Sequence, residues 1–261
     1  MTIALQKAHE TAGIHLQKHG IDAAALPAMR VALCLDTSGS MSREYHDGHV
    51  QKAVTHLLAL AMHMDKSHRL DVFTFDHRAS QCRYPATPEN YEDYVQAHIL
   101  GDGGVHKWGS TSYAPPLHLL YQHYFQDLTH LHSPESAADH VQRLAHHGGG
   151  LLGGLFHRRH ETPPPAPVQV DATGRQPLLV LFLTDGDNED KPETRQAVHA
   201  ANGLPIFFSF VGLAHDSRFL EELSRETDAE FVHLEDGIRI DDTQLYAQLV
   251  SPKLVTWLRT L

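Results

Sequence analysis

Cysteine, cationic side chains and long apolar runs are all scarce in this chain. Two cysteines, Cys34 and Cys82, occur in 261 residues, too few for a disulfide framework. Cys34 lies inside the apolar run 31–35, where a buried, inert thiol is the ordinary reading. Lysine and arginine total 21 against 32 aspartates and glutamates, a formal charge of −11 with histidine neutral. A duplex-DNA or polyphosphate binder needs a basic footprint, so the composition argues against the nucleic-acid class. The longest apolar runs, around 178–183 and 206–211, are too short to cross a bilayer. Residues 1–10 mix polar and charged side chains and lack the apolar core and cleavage site of a secretory signal. A cytoplasmic location with reduced thiols is therefore expected. Histidine, by contrast, is abundant at 23 residues. Mild acidification would raise the net charge strongly, which fits a pH sensor and equally a compositional bias of the source.

Hydrophobic residues make up 41% and charged residues 20%, enough to build a globular core. The length suits one sizeable α/β domain or two small ones. Leu5, Ala8, Ala12 and Leu16 fall at helical spacing within 2–20, and Gly20 is placed to stop that helix. Residues 22–29 form a linker with Pro27, and 30–36 read as a buried strand, apolar on both faces. Val50, Val54, Leu57, Leu58, Ala61 and Met64 mark an amphipathic helix. A strand at 70–75 follows, then a short edge strand at 80–84, a polar loop to Gly109 and a helix at 117–126. Later come strands at 178–183, 205–211 and 230–234, with helices at 193–202, 219–225 and 244–261. This alternation predicts an α/β domain of the Rossmann-like, doubly wound kind, a mainly parallel sheet with helices on both faces. Ligands of such sheets bind beyond the C-terminal ends of the strands.

The expected organisation is an N-terminal helix and linker at 1–29 followed by one domain at 30–261. A stretch at about 130–176 breaks the pattern with His146-His147, Gly153-Gly154, His157 and His160, and Pro163-Pro164-Pro165. It reads as a partly disordered surface insertion with a short helix at 134–145. Its histidines are close enough to hold zinc, but a flexible tract is more often a solvated loop, so they stay outside the candidate site.

Oxygen ligands gather elsewhere. Asp36, Ser38 and Ser40 follow the first buried strand directly, and Asp185 follows the strongest later one. Thr111, in a loop of small residues after Gly109, can reach the same crevice. Two carboxylates and three hydroxyls suit a hard cation, and Mg²⁺ above all keeps water or partner oxygens in its shell. A carboxylate from another protein could replace one of those waters. Asp187 and Asp190 read as a solvated acidic loop or a helix cap, and Asp76 as a structural or solvent contact.

The Asp36-x-Ser38-x-Ser40 pattern, the distant Thr111 and the later Thr184-Asp185-Gly186 resemble the metal-ion-dependent adhesion site of von Willebrand factor A (VWA) domains. In that family these five positions hold the ion directly or through water. The resemblance implies metal ligation by Asp36, Ser38, Ser40, Thr111 and Asp185, with Mg²⁺ as the ion and Mn²⁺ or Ca²⁺ as alternatives. A wider likeness includes 35–42 with Tyr45, Gly48, Val50 and Gln51, then 109–115, 182–186 and 207–212. With Phe219-Leu220, Leu245-Tyr246 and Trp257-Leu258, these segments resemble bacterial tellurium-resistance (TerF-like) VWA proteins, themselves similar to the copine VWA domain. Residues 5–20 are similar to the leader that precedes the domain in those proteins. The family implies a cytoplasmic stress-resistance setting and metal-linked protein complexes. The histidine-rich insertion departs from its pattern.

Three functions remain open at this point. A non-enzymatic, metal-dependent binder of a protein partner accounts for a cation site with no evident base or nucleophile beside it. A Mg²⁺-dependent hydrolase or phosphatase using Asp36 would want a second aspartate where Ser38 stands, and the G-x-S-x-G elbow of serine hydrolases is absent. A scaffold with a purely structural ion is the third. Oligomeric state is not legible in the sequence.

Overall fold

The computed structural model describes residues 2–133, 174–213, 216–235, 237–239 and 241–261. The strands are β1 (Arg30–Asp36), β2 (Asp71–Phe75), β3 (Ala79–Gln81), β4 (Leu178–Thr184), β5 (Ile206–Leu213) and β6 (Ala229–Leu234). The helices are α1 (Ile3–Lys18), α2 (Ser42–His46), α3 (His49–Met64), α4 (Ala114–Tyr124), α5 (Lys191–Ala200), α6 (Arg218–Glu226), α7 (Asp242–Leu249) and α8 (Pro252–Leu258). They form one sheet in the order β3-β2-β1-β4-β5-β6. Every pairing is parallel except that of the edge strand β3 with β2. The chain leaves β1 for β2 on one side and later returns to β4 on the other, so β1 and β4 flank the topological switch point.

The apolar runs of the central strands explain the two covering layers. Side chains alternate across a strand, so a run apolar at every position feeds two cores. Val31, Leu33 and Leu35 pack with Leu179, Leu181 and Leu183 under the faces of α1, α3, α7 and α8. Ala32 and Cys34 pack with Val180, Phe182, Phe208 and Phe210 under α4, α5 and α6. Phe207, Phe208 and Phe210 are all buried, so these aromatics belong to the core. Leu5, Ala8, Ala12 and Leu16 of α1 are buried in the first of these cores. Gly20, two residues past α1, takes φ +70°, the left-handed conformation that favours glycine after a helix end.

Several elements differ from the sequence expectation. The segment expected as a polar loop before Gly109 buries Tyr91, Tyr94, Val95 and Ile99, whose three- and four-residue spacing covers the core. It closes in a wide helical turn at Gln96–Leu100 with Gly101 N–H donating to the Gln96 carbonyl at 2.9 Å. The edge strand spans Ala79–Gln81 rather than 80–84, and beyond it Leu70 and Ala86 make an isolated bridge. Helix α4 begins at Ala114, before Leu117, because prolines are tolerated in a first turn. The closing helix is two: Pro252 cannot donate to the preceding turn, so Ser251 turns extended and caps α8 through its hydroxyl, which accepts from Leu254 N–H at 3.1 Å. The short helix expected at 134–145, with His146, His147, His157 and His160, lies outside the described residues.

Candidate metal centre

The registers β1–β2 and β1–β4 bring three strand ends together. Asp36 pairs with Phe75, the residue before Asp76, and Leu35 pairs with Leu183, the residue before Thr184. The acidic loops after β1, β2 and β4 therefore share one edge of the sheet.

Asp36, the last residue of β1, is fully buried. Its Oδ1 accepts from Ser38 N–H at 2.7 Å and its Oδ2 from the Thr184 hydroxyl at 2.6 Å. Its backbone carbonyl accepts from the Tyr45 hydroxyl at 3.0 Å. Burial pushes its carboxyl up to about 6, hydrogen bonds from Ser38 and Thr184 pull it down, and the Asp185 charge adds to the rise. Above Asp36 runs a chain of hydroxyls: Ser38 Oγ lies 3.1 Å from Ser40 Oγ, which donates to Asp185 Oδ1 at 2.8 Å. Ser38 is buried, Asp185 half-buried and Ser40 exposed, so the cluster opens outward.

Thr111 lies in a loop that backbone bonds tie to the neighbouring loops. The segment around it is tied to three neighbours: Gly39 N–H donates to the Gly109 carbonyl at 2.9 Å, Ser112 N–H to the Asp76 carbonyl at 2.9 Å, and Glu189 N–H to the Thr111 carbonyl at 2.9 Å. Four of the five expected site residues, Asp36, Ser38, Ser40 and Asp185, thus fall in one bonded network. Thr111 stands beside it with a half-buried side chain, fixed through its backbone.

Of the supporting residues, Asp76, Asp187 and Asp190 stood out in the sequence, but their partners did not, and Tyr113 was not singled out. Asp76 is fully buried, and its carboxylate accepts from Arg78 N–H at 2.8 Å and Gly109 N–H at 3.2 Å. It is a structural contact that holds the Thr111 loop. Asp190 accepts from Tyr113 N–H at 2.9 Å and Ala114 N–H at 2.8 Å, so its side chain caps α4 rather than α5, the helix that follows it in sequence. Asp187 is bonded to Ser217 and Lys191. Tyr113 places its hydroxyl 3.0 Å from Thr184 Oγ1 and donates to the Gly186 carbonyl. Asp76, one residue past β2, carries a signal in its position after a strand; Asp187, Asp190 and Tyr113 do not, and only the fold says which loop each one meets.

The donor set suits a hard cation. It consists of oxygens alone, two of them carboxylates whose mutual repulsion a cation would relieve. Among the described residues no three histidine, cysteine, aspartate or glutamate side chains form a metal cluster, so nothing there competes as a zinc-type site. No helix of the described residues is long and apolar enough to cross a membrane.

Similar proteins agree with this fold. A family model of the VWA domain found at the TerF C terminus matches residues 28–132 and 166–261. YcbR, an uncharacterized protein of Bacillus subtilis (strain 168), is 26% identical over 236 residues, covering 88% of this chain and 77% of YcbR. Proximal thread matrix protein 1 from the mussel byssus is similar in fold, with a TM-score of 0.52 at 12% identity. That match covers 87% of this chain and 48% of the mussel chain, so the present chain spans about half of it. A von Willebrand factor type A protein from Catenulispora acidiphila matches with a TM-score of 0.46 at 12% identity, over 87% of this chain and 43% of its own. VWA domains typically act as protein-interaction modules rather than enzymes. With most of its length matched by the family model, the chain belongs to the TerF-like VWA family.

Proposed function

We propose that the crevice binds one divalent cation, Mg²⁺ before Mn²⁺ or Ca²⁺, and uses it to capture a protein partner. Asp36, Ser38, Ser40, Thr111 and Asp185 would hold the ion, directly or through water. The observation that carries this reading is the Ser38–Ser40–Asp185 chain lying over buried Asp36 at the switch point of the sheet. When bound, the ion supplies a Lewis-acidic site on a surface otherwise lined by acceptors. Neutral hydroxyls quench less of its charge than carboxylates would, so an incoming carboxylate is the ligand it favours. The protein's own part is to hold these oxygens in the loops after β1 and β4 and in the tethered loop of Thr111, and to keep Asp36 dry.

A hydrolytic role for Asp36 is disfavoured by the same geometry. Both carboxylate oxygens are hydrogen-bonded and the residue has no exposed surface, a poor position for a nucleophile. The wider setting we propose is a cytoplasmic tellurite or stress response, resting on the TerF-like family alone.

Calorimetry with Mg²⁺ and Mn²⁺ on wild type, Asp36→Ala and Asp185→Ala tests the site. Binding by the wild type and its loss in both variants is the expected result; unaltered affinity in both would remove the assignment. A pull-down from source cells with and without EDTA then separates capture from scaffolding. A partner retained equally in EDTA would leave the ion a structural role.

A further inference from the structure

Trp108 departs from the economy of the rest of the surface. It is 45% exposed, one of five large hydrophobic side chains that face solvent among the described residues. It also takes φ +69°, a left-handed conformation that bulky side chains rarely adopt. Nothing in its own chemistry favours that backbone, so the surroundings must impose it. Trp108 N–H donates to the Thr37 carbonyl at 2.7 Å, and Thr37 Oγ1 donates to the His106 carbonyl at 2.9 Å. The next residue, Gly109, is held from both sides by Gly39 N–H and by Asp76 Oδ2. The indole meets Tyr45 edge-on at 5.5 Å, and Tyr45 in turn bonds the Asp36 carbonyl at 3.0 Å.

These contacts make Trp108 part of the same rigid unit as the oxygen cluster. A Cβ on Gly39 would lie 3.5 Å from the Trp108 carbonyl, and Ser40 is the next residue along. A strained backbone held by this many bonds at a binding crevice has a use for the side chain it displays. An apolar ring kept in water beside a cluster of oxygens serves a ligand that needs both.

Resting on the cation-bridge reading, we infer that Trp108 is the apolar half of the partner site. Its occupant is a protein segment that gives an aspartate or glutamate to the ion and lays a bulky apolar side chain, one or two residues away, on the indole. Adjacent residues are about 3.8 Å apart along the chain, and Trp108 is joined to the oxygen cluster through Tyr45, which meets the indole and bonds the Asp36 carbonyl, and through Gly39, which packs on the Trp108 carbonyl. Tryptophan is favoured at such anchors because it offers a large rigid contact with little side-chain entropy to lose. The ion fixes the acidic residue, and the indole decides which acidic sequences are taken.

The full chain is tested with synthetic heptapeptides carrying a central aspartate flanked by leucine or phenylalanine, or by serine or lysine, in Mn²⁺. Trp257, stacked on Phe207 at 5.3 Å, is the other tryptophan, so Trp257→Phe leaves Trp108 as sole reporter. The expected result is Mn²⁺-dependent binding of the leucine and phenylalanine peptides at least tenfold tighter than the others, with a blue shift of Trp108 emission. Trp108→Gly should weaken that binding at least tenfold while Mn²⁺ affinity, measured without peptide, stays within twofold; Trp108→Phe should restore most of it. If flanking residues make no difference, if no peptide binds, or if Trp108→Gly binds as wild type does, the inference is wrong and the cation site stands. If the wild type takes up no Mn²⁺, the proposed function falls and the inference falls with it.

Discussion

Thr184 Oγ1 donates a 2.6 Å hydrogen bond to Asp36 Oδ2, joining the last residue of β4 to the last residue of β1. The bond satisfies a carboxylate oxygen that water does not reach, and it fixes the angle at which Asp36 meets the crevice. In Thr184→Val the oxygen would lose this partner in a buried place. Stability of the metal-free protein should fall by about 1–3 kcal/mol, and urea denaturation measures it. Saturating Mn²⁺ should recover part of the loss, since a cation stabilises the same charge.

Asp36→Asn separates charge from shape. A carboxyl held up at about 6 still ionises at neutral pH but at a cost to the fold, so removing its charge relieves the metal-free protein. Burial raises this group above its unfolded value, so the metal-free wild type loses stability as pH rises from the unfolded value through about 6. The variant should be as stable as wild type or more so at pH 7, by up to about 2 kcal/mol, yet bind Mn²⁺ at least tenfold more weakly. Thermal melts with and without the ion check both halves; loss of stability in both conditions would contradict the argument.

Gly109→Ala should damage the site without touching a ligand. A Cβ there would overlap the His77 imidazole and come within 2.7 Å of Asp76 Oδ2. The Asp76–Gly109 bond is the tether of the Thr111 loop, so the loop must shift. A fall of roughly tenfold in Mn²⁺ affinity with retained far-ultraviolet circular dichroism is expected.

Acid acts through the histidines in the opposite direction to Asp36. Burial lowers His56 to about 4 and also lowers His15, His63 and His118 below their ordinary value. Their folded values lie under the unfolded one, so the unfolded chain binds more protons between them. The stability they contribute is present above pH 6.5 and is lost as pH falls through the folded values, to about 4 for His56. His56→Gln should flatten the stability profile in that window by roughly 1–3 kcal/mol, read from denaturation at stepped pH. An unchanged slope would mean that His56 is not among the groups taking up protons.

The strands, the two-sided core and the loops after β1 and β4 were legible because each rests on a local pattern. Val31 to Leu35 could satisfy an apolar run only at the centre of a covered sheet, and Asp36, Ser38 and Ser40 had to follow it in a loop. The buried stretch around Tyr91 to Ile99 was misread as a polar loop because its apolar residues are interleaved with charges and its helical turn is only five residues long. The two-part C-terminal helix was readable from Pro252, but its periodicity masked the break.

What the sequence determined alone was the set of oxygen-bearing side chains in the candidate site, their order, and an alternation of elements that leads to one sheet edge. Tertiary structure decided the partnerships. Hydrogen bonds between Asp36 and Thr184, Asp76 and Gly109, and Asp190 and the start of α4 join residues 148, 33 and 77 or 76 positions apart. Only the strand order β2-β1-β4 brings those loops side by side. The left-handed backbone of Trp108 belongs to the same category, since a tryptophan takes that conformation only where several long-range bonds outweigh its local preference.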